Sequence, residues 1–89
     1  MPPAQLTQLV TNELQKLVGA GTLSSGDASP IQVSIDQSHA SIARGNLIAA
    51  RNQLGAARNK VTAALNSGKL SVAQAVDLFA AIDRAVAHM

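Results

Sequence analysis

Apolar residues recur at helical intervals along most of this chain. Leu6, Leu9, Val10, Leu14, Leu17 and Val18 fall at i, i+3, i+4, i+8, i+11 and i+12, which places them on one face of a helix. The spacing predicts a first helix over about residues 4–18, entered through Pro2 and Pro3 and closed at Gly19 or Gly21. A second helix carries Ile31, Ile35 and Ile42, with Ala28 and Ser38 on the same stripe. Pro30 interrupts its first turns, so the helix is expected either to be offset or kinked there or to begin there. From Asn46 to Asn66 the text repeats every seven residues: Leu47, Leu54 and Val61 share one position, Ala50, Ala57 and Ala64 another. These six form the expected buried seam of a third helix, with Asn52, Asn59 and Asn66 roughly opposite. A fourth helix, from Val72 to about His88, is expected to bury Val72, Val76, Phe79, Ile82 and Val86.

The links between helices are written in stop and start residues. GTLSSGDA (residues 21–28) and GKLSVAQA (residues 68–75) are nearly the same sentence, 47 residues apart. In each, a glycine ends one helix and a serine caps the next: Ser24 with Asp27 three residues on, Ser71 with Gln74. Leu23 and Leu70 precede the caps, where an apolar residue staples the chain. Between the copies, Gly45 is a stop and Asn46 a cap. The same shift pairs Leu14 with Val61, Val18 with Leu65, Ile31 with Leu78 and Ile35 with Ile82. The expected fold is an all-α four-helix bundle in a single domain, residues 1–89. It is made of two tandem αα-hairpins, about 4–43 and about 46–88, with an internal repeat of about 47 residues. Its expected core includes Leu14, Ile35, Leu54, Val61, Phe79 and Ile82.

Composition narrows the chemistry. There is no cysteine in the 89 residues, so no disulfide framework and no thiol chemistry, and Phe79 is the only aromatic residue. His39 and His88 lack a carboxylate at i+3 or i+4 to complete a metal pair. Asp77 and Asp83 do not share a helix face, and the glycines stop helices rather than form a phosphate loop. Neither catalysis, a metal nor a cofactor is expected. No apolar run is long enough to span a membrane, and no leader pattern is present. Met1, Pro2 and Pro3 suit the start of an excised domain, and composition leaves localisation open.

Charge adds one candidate. Between Gln37 and Val76 there is no acidic residue, while Arg44, Arg51, Arg58, Lys60 and Lys69 fall inside that span. Three arginines spaced by seven drift only ~20° per step around a helix, which makes a possible anion-binding row. The ordinary reading of such a row is a solvated face, and the usual aromatic platforms of nucleic-acid readers are missing.

The run G-x-L-S-x-G-x-A, then Ile31, Ile35 and Ile42, then Gly45-Asn46, Ala49-Ala50, Asn52 to Leu54, Ala56, Asn59, Val61 and Ala63, followed by GKLS, resembles the FIMAH-type helical domain over roughly residues 6–86. The resemblance implies a small non-catalytic module appended to secreted or cell-surface bacterial proteins. This chain departs from the pattern at Asp27 and Pro30, and at Ala57-Arg58, where the family has Phe-Ile. With alanine at 57, Phe79 is expected to cross into the seam of helix 3 and pack helices 3 and 4 closely, so that Phe79→Ala would cost ~3–5 kcal/mol. The functional expectation is an accessory or interaction module whose partner is another protein or the rest of its own parent chain. Its alternatives are binding of nucleic acid or an acidic glycan through the basic row, and a helical protein-protein adaptor or homodimerisation module.

Overall fold

The computed structural model describes residues 2–89. Four helices follow in order, α1 Pro3–Gly19, α2 Ser25–Ala43, α3 Leu47–Asn66 and α4 Val72–Ala87, with no strand among the described residues. This is an all-α four-helix bundle. The helices form a ring in which α1 packs on α2 and α4, and α3 packs on α2 and α4. Thr7 meets His39 and Thr11 meets Gln32, while Gln53 meets Ser41 and Lys60 meets Ser34, so α2 runs antiparallel to both its neighbours.

Local chemistry sets the helix ends. Gly21 and Gly68 take φ of +76° and +77°, a conformation that costs a side chain energy but not glycine. The N–H groups of Gly21 and Thr22 donate to the carbonyls of Val18 and Leu17, and those of Gly68 and Lys69 to Leu65 and Ala64. Both are Schellman closures. Leu23 and Leu70 then dive into the core, at 1% and 4% exposure. Ser71 Oγ accepts from the Gln74 N–H at 3.2 Å and Gln74 Oε1 accepts from the Ser71 N–H at 2.9 Å, a complete capping box. Asn46 and Ser24 also cap, each accepting at 3.1 Å from the N–H three residues on.

The expected return bond from Asp27 is not made, because its carboxylate takes the Lys69 ammonium at 2.8 Å instead. Ser71→Ala is expected to cost ~1 kcal/mol and Ser24→Ala the same or less, since Pro30 already weakens the helix that Ser24 begins. Urea melts in which Ser24 matters much more than Ser71 would contradict this.

Helix α2 begins at Ser25 and runs through Pro30 without a break. Pro30 has no N–H to offer the Gly26 carbonyl, and exposed Gly26 lies open to water. On the inner side, Lys60 Nζ donates to the Pro30 carbonyl at 3.0 Å and to Ser34 Oγ at 2.6 Å, tying the interrupted turn to α3.

Five of the six expected core residues, Leu14, Ile35, Leu54, Val61 and Ile82, are at most 1% exposed. Phe79 is not among them: it is half-buried and packs on the core from outside. The alanine seam closes in another way. Ala50, Ala57 and Ala64 are buried, and α2 presents Ser34, Ser38 and Ser41, also buried. Small residues on both sides let the backbones approach, and α2–α3 is the most extensive pairing in the bundle, rather than α3–α4. The hydroxyls are satisfied: Ser38 donates to the Ile35 carbonyl and Ser41 to Gln53 Oε1, while Ser34 accepts from Lys60.

The largest correction concerns α4. Its buried residues are Ala75, Leu78, Ile82 and Ala85, so only Ile82 of the expected face is in the core. Val72 and Val76 are 68% and 53% exposed, and Val86 is half-buried. Two apolar stripes compete on this helix. The bulkier one, Val72, Val76, Phe79 and Val86, also carries Asp83 between Phe79 and Val86, and burying it would bury a charge. The stripe of Ala75, Leu78, Ile82 and Ala85 carries none. Leu47, at 37% exposure, and half-buried Ile42 likewise sit at the rim rather than in the seam.

Candidate functional site

The basic residues do not converge. Arg51 and Arg58 lie on the side of α3 that faces α4, and Lys60 on the side that faces α2. Arg58 Nε donates to Asp83 at 3.0 Å, and its guanidinium lies 4.3 Å from the centroid of the Phe79 ring. The Asp83 carboxylate holds the Arg58 pKa above its ordinary value. Lys60 is spent on Pro30 and Ser34. Arg44 stands at the C-terminus of α2 and donates to Ser41 Oγ, and Lys69, at the opposite end of α3, pairs with Asp27.

The hydrogen bond from Lys69, with a smaller one from Ser24, holds the Asp27 carboxyl below its usual value. A depressed carboxyl pKa stabilises the fold above the carboxyl's unfolded-state value and ceases to as pH falls through the folded one. Seven-residue spacing keeps Arg51 and Arg58 together, but nine residues turn a helix by about half a revolution, which sends Lys60 to the other flank.

The histidines are similarly dispersed. His39 Nδ1 lies 2.8 Å from Thr7 Oγ1 between α1 and α2, and His88 ends α4. No group of three metal-ligating side chains occurs among the described residues. A groove of about 510 Å³ lies between α1 and α4, with Leu6, Leu9, Ala80 and Ala81 along it and Asp77 and Arg84 on its α4 wall. A smaller one, of about 350 Å³, lies between Ile48, Arg51, Asn52 and Val86.

What the structure does gather is apolar surface. Val72, Val76, Phe79 and Val86 follow one another along the side of α4 nearest α3, and Ile48, 74% exposed, shares a hollow with Val86. Arg58 lies over part of the phenyl ring, and the rest of the stripe meets solvent. The outward face of α4 continues through exposed Ala73, Ala80 and Ala87 to Asp77 and Arg84 on the α1 side. Asp83 inside the bulky stripe adds a cost to burying it, which periodicity alone does not register.

Compared with known proteins, the chain matches no family model, no curated protein and no solved structure. The functional reading therefore rests on its own surface.

Proposed function

We propose that this chain is a non-catalytic interaction module that binds a protein partner through the outward face of α4 and the adjoining edge of α3. An accessory module of this kind is what the resemblance to FIMAH-type helical domains implies. The observation that carries the reading is the row of Val72 and Val76, more than half exposed on successive turns, continuous with half-buried Phe79 and Val86. Apolar residues scattered singly over a surface need no explanation, whereas a contiguous stripe rimmed by charge marks a contact surface. Rigid capped helices suit the role, because a preformed face loses little conformational entropy on binding.

The test is a photo-reactive residue placed at Val76, with one at exposed Asn59 as control, in the cells that make the protein. The expected result is a discrete cross-linked species from position 76 only, lost when Val72→Glu is added. The Val72→Glu chain should keep its urea midpoint, because residue 72 is outside the core. Equal cross-linking from both positions, or none from position 76, would overturn the reading.

A further inference from the structure

We infer that the partner of the α4 face is a second copy of this chain, docked antiparallel, α4 against α4, across a twofold axis near Ala80. The inference rests on the reading above and adds the identity of the partner. Counted by sevens, α4 places Ala73, Ala80 and Ala87 at one position, all exposed. Val72, Phe79 and Val86 occupy the position just before it, and Asp77 and Arg84 the position four after it. The exposed side of α4 therefore has three parallel strips: apolar toward α3, alanine along the middle, and charged toward α1.

The charged strip selects the partner and its direction. Asp77 and Arg84 are seven residues apart on one face, and neither belongs to the ion pairs formed among the described residues, Lys16–Glu13, Arg58–Asp83 and Lys69–Asp27. A parallel twofold would turn the charged strip of each copy toward the apolar strip of the other and leave Asp77 and Arg84 without counter-ions. An antiparallel twofold sets Asp77 of each copy level with Arg84 of the other, two opposite-charge contacts from one pattern. This is the self-complementarity that an isologous interface requires.

The same register brings the alanine strips together, where the absence of bulk lets the helices approach closely. On the far flank it brings Phe79 into the neighbourhood of Phe79 and Val86 of the second copy. Asp83, on that flank, already has Arg58 as its counter-ion.

The experiment is sedimentation equilibrium of the intact chain over a wide concentration range. A monomer–dimer equilibrium is expected. Asp77→Arg and Arg84→Asp should each weaken it about tenfold or more, since each replaces two attractive contacts by two repulsive ones. The combined Asp77→Arg/Arg84→Asp chain should return toward the parent value. The chain has no cysteine, so Ala80→Cys gives an independent readout: rapid oxidation to a linked dimer, which Asn59→Cys should not match.

Single reversals without effect, no rescue by the swap, or equal oxidation at both cysteines would overturn the antiparallel dimer. A chain that is monomeric throughout, yet cross-links to a different protein from position 76, would overturn the second copy and leave the interaction module standing. No cross-link and no dimer would remove both.

Discussion

Leu54→Ala is expected to cost about 3–4 kcal/mol and to leave the domain at the edge of unfolding. Leu54 has no exposed surface and packs in the core cluster from the middle of α3. Its neighbours on that face, Ala50 and Ala57 one turn away and Val61 two turns away, are small, and rigid helices leave them little freedom to close over the cavity. Deleting a buried leucine side chain costs ~2–5 kcal/mol in transfer and cavity terms. A chain of 89 residues has, at ~0.05–0.15 kcal/mol per residue, roughly 4–13 kcal/mol in all.

Phe79→Ala is the informative comparison. With the ring at the rim, its loss should be well below the ~3–5 kcal/mol of a buried phenylalanine. Urea melts of the two variants decide the matter. If Phe79→Ala proved the more damaging, the ring would be a core residue after all and the α4 stripe would lose its centre.

Ala57→Phe is the second large effect, in the opposite sense of too much volume. A phenyl ring at this place adds apolar area to the α3 seam, which by area alone would stabilise the fold. The packing argues otherwise. Ala57 is fully buried between Gln53 and Lys60, which reach across to Ser41 and Ser34 of α2. A phenyl ring there has to push α2 and α3 apart, breaking both bonds and leaving Ser34 and Ser41 without the partners that α3 holds against them. Overpacking a well-filled core commonly costs ~1–3 kcal/mol. Here ~3 kcal/mol or more is expected, because the strain falls on the most extensive helix pair. Ala63→Phe, on the exposed side of the same helix, should be nearly neutral. A stable Ala57→Phe chain would show that the α2–α3 seam has room for a phenyl ring.

The sequence by itself determined the number of helices, their direction changes and most of their bounds. Those properties are local. Gly21 and Gly68 stop helices, and Ser24, Asn46 and Ser71 start them, through bonds that span a few residues. Leu14, Ile35, Leu54 and Val61 were legible because α1, α2 and α3 each have one apolar stripe that outweighs the others, while Ile82 lies on the stripe of α4 that turns inward.

Only the tertiary structure decided which side of α4 faces inward. That helix has two apolar stripes, and periodicity is the same for both. The choice went to Ala75, Leu78, Ile82 and Ala85, because they spare Asp83 from burial and fit between α1 and α3. The position of Phe79 followed from this rotation and from the serines of α2, which close the alanine seam before a ring can enter it. The dispersal of the cations was tertiary too. Arg58 and Lys69 found Asp83 and Asp27, which lie 25 and 42 residues away in sequence. Spacing along one helix says where a charge points, but not which neighbour will stand there to meet it.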